Sequence, residues 1–407
     1  MLFDLDGPLL VDGTTTARQG VAAMIDALHK LGIVVGAVSS SGSVGDRCGR
    51  SGLAIDGVYE APRCGKKGSG DYVKAFCKDN GFEPHNCLTV WDDVYGFREG
   101  INGPTLAFHA EWGGGRSAYG IRLEKPVELL QYLDVFFLKE ALWFAKLDGT
   151  DGAGRSVTVR GLIDGNGAGS EAIRRAVFKT LKERQDVRVN GVSMPMFLLT
   201  HMLTSAYLDG LLTSGRDQVL WQIYPGHSPA STPPPLIQAS FQHMNLFRSK
   251  ASVKGRYGLN RMIDAKQSHT ERIADNRQAV KFINQMNSVA LIPGTNVRGK
   301  RVYVIDDFTT EGYSLEAARQ FFYAAGARSV HLFSFGKYGS RYHVEVPSDG
   351  VAVSPYNLTT YREADFHEAQ KHMQLDTHAL DEFVASLERL KDTTIRTKLL
   401  ESSPVGD

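Results

Sequence analysis

The chain of 407 residues has room for about 2.7 domains at ~150 residues each. Its 46 Lys and Arg against 45 Asp and Glu leave no strong overall charge, which argues against nucleic acid as its principal partner. The 42 glycines, roughly a tenth of the chain against a usual ~7%, follow no Gly-X-Y period and sit among apolar runs; that excludes collagen and low-complexity disorder and leaves tight turns or loops that approach phosphate.

Along the chain, residues 1–124 alternate apolar runs with helical segments. Strands are expected at 1–5, 33–39, 58–60, 88–91 and 105–108, with helices at 16–31 and 70–80, the pattern of a parallel α/β sheet. Residues 125–215 read as a helical linker or cover. Leu129, Leu130, Leu133, Phe136, Phe137, Ala141 and Phe144 recur at three- and four-residue spacing, and a second helix is expected at 170–185. This middle segment is expected to cover one or both sites described below. Residues 216–350 return to α/β texture, with strands at 218–224, 301–305 and 329–335, and residues 351–407 read as a helical C-terminal tail. The fold class is thus α/β, with two Rossmann-like parallel-sheet domains joined by a helical segment.

The most apolar helix-like stretch, 127–147, carries Asp134, Lys139 and Glu140, so no membrane span is expected. No basic segment leading into an apolar run marks a secretory leader. Cys48, Cys64, Cys77 and Cys87 form no CxxC pair, so reduced thiols, no zinc site and a cytoplasmic location are expected. Gly165, Gly167 and Gly169 do not make a dinucleotide-binding fingerprint, because the spacing is wrong and no acid follows at the right distance.

Two constellations carry chemistry. In the first, an apolar strand ends in Asp4-Leu5-Asp6-Gly7, where paired carboxylates can hold Mg²⁺ while one attacks phosphorus and the other moves a proton. A strand ending in Ser39-Ser40-Ser41, then Lys66-Lys67 before a helix, then a strand ending in Asp92-Asp93 follow in that order. These four motifs, over about 110 residues, resemble the haloacid-dehalogenase-like phosphohydrolases. The resemblance implies Asp4 as a nucleophile that forms an aspartyl-phosphate and Asp6 as general acid/base. It implies Ser39 as a phosphoryl contact and Lys67, rather than Lys66, as the charge-neutralising cation. Mg²⁺ would be held by Asp4, Asp6, Asp92 and Asp93. Pro8 departs from the family pattern, and the short span from Ser39 to Lys67 leaves little room for a cap, so an open site is expected.

In the second, the apolar run 301–305 leads into Asp306-Asp307-Phe308-Thr309-Thr310-Glu311-Gly312-Tyr313-Ser314 and then a helix at 315–325. A strand, two acids and a Gly/Ser/Thr loop opening a helix make a phosphate cradle. The pattern resembles the signature of type I phosphoribosyltransferases. It implies Asp306 and Asp307 on the ribose hydroxyls and Thr309, Thr310, Gly312, Tyr313 and Ser314 in the 5-phosphate loop. Glu311 departs from the pattern. Upstream, Gly226, His227 and Ser228 resemble a pyrophosphate loop, and the stretch 248–277, with eight basic residues including Arg272, resembles a flap over pyrophosphate.

The two resemblances together imply a bifunctional Mg²⁺-dependent enzyme. Phosphoribosyl pyrophosphate and a base-like small molecule would be joined, and a phosphorylated small molecule dephosphorylated, to give a nucleoside-like product. The pairing looks like the phosphatase–phosphoribosyltransferase proteins of bacterial stress islands linked to tellurium resistance. The alternatives are a nucleotide salvage or breakdown enzyme, or a non-catalytic nucleotide-sensing or RNA-binding regulator. Type I transferases are often dimers, which makes a homodimer an expectation.

Overall fold

The computed structural model describes residues 1–116, 120–166, 171–181, 187–212, 219–231, 258–265 and 282–395. Arg272, nearly all of the basic stretch 248–277, Gly167 and Gly169 lie outside them.

The first body is built on a six-stranded, all-parallel sheet. Its strands are β1 (Leu2–Asp4), β2 (Gly36–Ser39), β3 (Gly57–Glu60), β4 (Leu88–Trp91), β5 (Leu106–Ala110) and β6 (Ile121–Leu123). They lie in the order β3-β2-β1-β4-β5-β6. β1, β2, β4 and β5 are buried along their whole length, which is why they read as continuous apolar runs. Helices α1 (Val21–Lys30), α2 (Val44–Ser51), the single turn α3 (Ala61–Cys64), α4 (Asp71–Asn80) and α5 (Val94–Asn102) connect them. α1 shows the reason for its fold in its spacing: Val21, Met24, Ile25 and Leu28 form one buried stripe, and His29 and Lys30 meet the negative helix end. From β1 the chain winds outward through β2 and β3, then crosses back to β4 on the other side. The crevice at the carboxyl ends of β1 and β4 is therefore the topological switch point, where ligands bind in open α/β sheets.

The middle segment departs from a helical linker. After α6 (Pro126–Tyr132) and a π-helical turn at Leu133–Phe137, the helix stops and the chain forms β7 (Ala145–Thr150) and β8 (Ser156–Asp164). Of the predicted stripe, Leu129, Leu133, Phe136 and Phe137 are buried by helical turns, while Phe144 lies just ahead of β7. Helix α7 (Glu171–Leu181), the short strands β9 (Arg188–Val189) and β10 (Val192–Ser193), and helix α8 (Met194–Leu208) follow. α8 is buried almost all round, and so carries no polar face.

The second sheet combines these strands with β11 (Val219–Ile223), β14 (Arg301–Thr309), β15 (Ser329–Lys337) and β18 (Gln374–Leu375), in the order β11-β14-β15-β8-β7-β18. It is mixed rather than purely parallel. β11, β14, β15 and β8 run parallel, β7 turns back antiparallel on β8, and β18 is antiparallel to β7. Between β11 and β14 lie β12 (Leu259–Arg261), the short helix α9 (Phe282–Met286) and β13 (Val289–Leu291). Helix α10 (Tyr313–Ala324) follows β14. The predicted helical tail is corrected in part: β16 (Arg341–Pro347) pairs with β17 (Phe366–His372), and only α11 (His378–Arg389) is a long helix. β17 exposes six of its seven residues, so no apolar alternation announces it as a strand.

One apolar cluster runs from Phe3 and Val90 through Leu133, Phe136, Phe197 and Met202 to Tyr303, Ile305 and Phe333. The middle segment is therefore shared core between the two sheets. A second cluster buries the opposite face of β14 and β15 under α10, and a third packs α4 on the first sheet. The four cysteines are buried and unbridged. Among the described residues, no helix is long and apolar enough to cross a membrane.

Candidate functional site

At the switch point, Asp4 is the last residue of β1, Ser39 ends the neighbouring β2, and Asp92 follows β4 directly. All three are buried, at 4%, 4% and 7% exposure. Sheet geometry alone thus gathers three polar groups at one edge of an otherwise apolar layer. Lys67, and not the exposed Lys66, reaches Asp4: its ammonium contacts Asp4 Oδ2 directly, lies 3.4 Å from Asp93 Oδ2 and sits over the Trp91 ring at 5.5 Å. Burial pushes the Asp4 carboxyl up to about 7 against the opposing pull of Lys67, and burial with the neighbouring Asp93 raises Asp92 to about 6. Burial also works against the Lys67 ammonium, but Asp4 and Asp93 outweigh it and hold its pKa above the ordinary value, so the shared proton stays on nitrogen.

Backbone crowds Asp92 from three sides. Gly7 has φ 87°, and a Cβ there would fall 1.9 Å from Asp92 Oδ2; a Cβ on Gly113 would lie 2.8 Å from Asp92 Cβ, and one on Gly115 only 2.3 Å from its carbonyl oxygen. The loop carrying Gly113 is tied to the β1 loop by Arg18, which donates to Gly7 O at 3.2 Å and Gly113 O at 2.7 Å, and by Trp112 Nε1, which donates to Pro8 O at 2.8 Å. Pro8 leaves its carbonyl available for that bond.

Two predicted residues have further partners. Asp93 caps α5, accepting from Gly96 N at 2.6 Å, so part of its role is structural. Asp6 is held by Arg47 of α2 through two bonds, of 2.9 and 2.5 Å, and accepts from Gly13 N at 3.1 Å. The Arg47 guanidinium keeps the Asp6 carboxyl below the usual range. Glu99 is wholly buried on α5 and accepts from the backbone N–H of Gly68 (2.7 Å), Gly70 (2.9 Å), Tyr72 (2.8 Å) and Val73 (3.3 Å). It clamps the loop that carries Lys67. Neither Arg47 nor Glu99 is marked by sequence, since each stands beside other charges of a short helix, Arg47 with Asp46 and Arg50 and Glu99 with Arg98.

Among the described residues no three His, Cys, Asp or Glu side chains form a ready-made metal cluster. Mg²⁺ needs none: it takes one or two carboxylates and completes its shell with water and phosphate oxygens. Asp4 and Asp92, two buried carboxyls whose ionised forms lack sufficient compensating charge, fit that pattern.

The second constellation is arranged differently. β14 runs on past Ile305 to Thr309, so Asp306 and Asp307 are strand residues rather than loop residues. Strand alternation puts Asp306 on the face of Val302 and Val304 and Asp307 on that of Tyr303 and Ile305. Asp306 Oδ1 accepts from Asp307 N at 2.9 Å and Asp307 Oδ1 from Phe308 N at 2.6 Å. Gly312 opens α10 at φ 88°, and a Cβ there would meet the Tyr342 ring at 2.2 Å. Lys337, at the end of β15, donates to the carbonyls of Thr310 (2.5 Å), Tyr338 (2.7 Å) and Gly339 (2.9 Å); burial lowers it to about 8 against the pull of Glu311. Thr309 is buried, while Thr310, Glu311, Tyr313 and Ser314 are half-buried at the turn.

In the predicted pyrophosphate loop, Arg261 donates to Gly226 O at 2.8 Å and Pro225 O at 3.4 Å, while Ser228 is bonded to Ser231. Gly226 is required by Ser231, whose Cβ would lie 2.6 Å from an added methyl, and His227 is exposed. Helix α7 of the middle segment reaches this end of the sheet: Arg174 and Arg175 line a cavity with Phe308, the residue after Asp307.

No family model and no curated protein matches the chain. Among solved structures, the chain is similar to a HAD-superfamily hydrolase, subfamily IA, variant 1, from Geobacter sulfurreducens, with 17% identity over 29% of this chain and a TM-score of 0.27. The match spans 61% of that hydrolase's length. At that similarity the site stands on its own geometry.

Proposed function

We propose that the first body is a Mg²⁺-dependent phosphatase that acts on a phosphorylated small molecule through an aspartyl-phosphate. The observation that carries this reading is the contact of Lys67 with a buried Asp4 beside Asp92, at the switch point of a parallel sheet. Burial desolvates Asp4 and Lys67 partly offsets its charge, so its ionised form is a strong carboxylate nucleophile. Its Oδ attacks phosphorus, the ester P–O bond breaks, and the leaving oxygen takes a proton from the protonated form of Asp6, which Arg47 keeps scarce at neutral pH. Water then attacks the same phosphorus, Asp6 takes back a proton, and Asp4 and inorganic phosphate are released. Ser39 and Lys67 bind the phosphoryl oxygens as charge redistributes. Mg²⁺, held by Asp4 and Asp92, would offset phosphoryl charge. The test is release of inorganic phosphate from a panel of phosphate monoesters with Mg²⁺. Turnover that is absent, or that survives Asp4→Asn, sinks the reading.

We infer that the second body binds a phosphorylated ribose and transfers it between pyrophosphate and a base-like acceptor. The strand–turn–helix of β14 and α10 supports this, with Gly312 at the helix start and Lys337 drawing the Thr310 carbonyl to itself, which leaves the amide side of the turn for an anion. With Asp306 and Asp307 on opposite faces of β14, one acid rather than both would take the ribose hydroxyls. Pyrophosphate release from phosphoribosyl pyrophosphate with a panel of bases tests it. Tight nucleotide binding without turnover would instead favour a sensor.

A further inference from the structure

We propose that Arg18 is a positioning residue for the cation of the first body: its guanidinium joins the two loops that frame Asp92 and so sets that carboxylate for a small, rigidly coordinated divalent ion. The ion's role in phosphoryl transfer rests on the phosphatase reading above; its capture at the clamped carboxylate does not. Asp92 leaves β4 between two loops from distant parts of the chain. One follows β1 and carries Gly7, and the other follows β5 and carries Gly113 and Gly115. All three glycines press on the same carboxylate oxygen. A Cβ would fall 1.9 Å from Asp92 Oδ2 at Gly7, 2.9 Å at Gly113 and 2.8 Å at Gly115. The loops also meet each other there, since a Cβ on Gly113 would lie 3.0 Å from Gly7 C. The carboxylate therefore stands where the two loops put it, and drift of one loop against the other would move it.

Arg18 opposes that drift at the atoms that matter. Its Nε donates to Gly7 O and its Nη2 to Gly113 O, so both acceptors belong to glycines of the frame. The arginine is itself anchored in the β1 loop: its backbone N–H donates to Leu9 O at 2.9 Å, and the adjoining Ala17 bridges to Leu10. A planar guanidinium presents its N–H groups in a fixed fork, which a lysine cannot copy. Trp112 Nε1, donating to Pro8 O, is a second tie between the same two loops. Asp12 approaches Arg18 Nη2 at 3.6 Å from an exposed position, and so steadies the guanidinium only weakly.

Two physical consequences separate a clamp from a nearby charge. A guanidinium repels a cation, so if Arg18 acted only through its charge, removing it would strengthen cation binding. If it acts as a clamp, removing it weakens binding. Mg²⁺ also demands near-ideal octahedral geometry, whereas Ca²⁺ accepts flexible, irregular shells. A loosened frame therefore costs Mg²⁺ more than Ca²⁺.

The experiment titrates Mn²⁺ into the full chain at pH 8, follows the free ion by its paramagnetic resonance signal, and displaces it with Mg²⁺ or Ca²⁺. It is repeated on Arg18→Ala, Arg18→Lys, Trp112→Phe and Asp92→Asn, with thermal melts to confirm folding. Asp92→Asn should abolish the site. Mg²⁺ affinity should fall about tenfold or more in both Arg18 variants and about threefold in Trp112→Phe, with smaller losses for Ca²⁺ in each. Equal or tighter Mg²⁺ binding in Arg18→Ala, wild-type affinity in Arg18→Lys, or equal losses for the two ions overturns the proposal. So does a wild-type chain that binds neither ion, or binding that survives Asp92→Asn. Should the Arg18 variants fail to fold, Trp112→Phe, which keeps the ring, decides by the same Mg²⁺/Ca²⁺ ratio. Phosphate release is measured separately. Turnover in a chain whose Mg²⁺ affinity ignores Arg18 removes the clamp and leaves the phosphatase; Arg18-dependent Mg²⁺ binding with no turnover of any ester does the reverse.

Discussion

At the first sheet edge, Asp4 and Asp92 arrive from two neighbouring strands and meet, whereas at the second, Asp306 and Asp307 occupy successive positions of one strand and part to opposite faces. The cations differ as well. Lys67 turns its ammonium onto a carboxylate, while Lys337 donates to loop carbonyls and the Arg261 guanidinium to loop carbonyls, Ser288 and Gln285. The first edge therefore concentrates charge that a ligand must balance, and the second fixes backbone shape around a place where a ligand can sit. Strand ends that converge make a reactive centre; a run of polar residues on one strand makes a binding surface unless neighbours complete it.

The largest expected effect separates the two edges outright. Asp4→Asn removes the nucleophile and should lower phosphatase turnover by about 10³-fold or more, leaving ligand binding at the second edge unchanged. Steady-state phosphate release and a phosphoribosyl pyrophosphate titration on the same preparation read both. Loss of both together would mean that the edges are coupled through the shared core, and the contrast between them would fail.

Next in size is Glu99→Ala. Four N–H groups, three of them buried, lose their common acceptor, each buried one worth about 1–3 kcal/mol when left unpaired, with water recovering part. A net destabilisation of about 3 kcal/mol is expected by denaturant melts, with turnover down about tenfold or more in the surviving folded protein because Lys67 loses its fixed loop. Glu99→Gln keeps the shape but only one acceptor oxygen, and its NH2 faces two of the four N–H groups, so it should recover less than half of the stability. Equal turnover in all three proteins would show that Lys67 is placed without the clamp.

How much of this the sequence shows depends on whether a residue's role is local. Asp4, Ser39 and Asp92 are legible because each ends an apolar run, and a buried parallel strand ends where its ligand-facing residue begins. Glu99 and Arg47 are not, because their roles exist only once α5 packs on the loop after α3 and α2 swings beside Asp6. Gly113 and Gly115 read as connectors for the same reason: their neighbour, Asp92, is some twenty residues away along the chain. In the second body, the alternation Val157-Thr158-Val159 after a Gly-rich turn is the signal for β8, outweighed by the strong helical stripe that precedes it. The polar surface of β17 gives no such signal.

A third effect reads the carboxyl charge at the first edge that Lys67 alone does not offset. Asp4 and Asp92 titrate near 7 and 6 in the folded protein, above the ordinary carboxyl value of 3.8. Raised values mean that their contribution to stability is fully present below about pH 4 and is lost as pH rises through 6 and 7. Mg²⁺ binds the ionised carboxylates, so its stabilisation should grow over the same window. At pH 8 saturating Mg²⁺ should raise Tm by about 3–6 °C, for about 2 kcal/mol, and at pH 5 by much less. Asp92→Asn should flatten the difference. An equal Tm shift at both pH values would place the ion elsewhere.

The smallest effect probes Asp6, the acid at the first edge that an arginine holds. Arg47 holds Asp6 ionised at neutral pH, and an ionised carboxylate cannot protonate a leaving group. Alkyl phosphates need that proton, whereas p-nitrophenyl phosphate, whose leaving group is stable as an anion, does not. Arg47→Met should free Asp6 to bind a proton at higher pH. The ratio of alkyl to p-nitrophenyl phosphate turnover at pH 7 should then rise about three- to tenfold, and the falling limb of the alkyl profile should move to higher pH. If both substrates slow together, Arg47 instead grips the phosphate, and Asp6 must reach its proton by leaving the guanidinium only when substrate arrives. The two outcomes differ in KM as well: a freed acid alters kcat for alkyl esters alone, while a lost phosphate contact raises KM for every substrate.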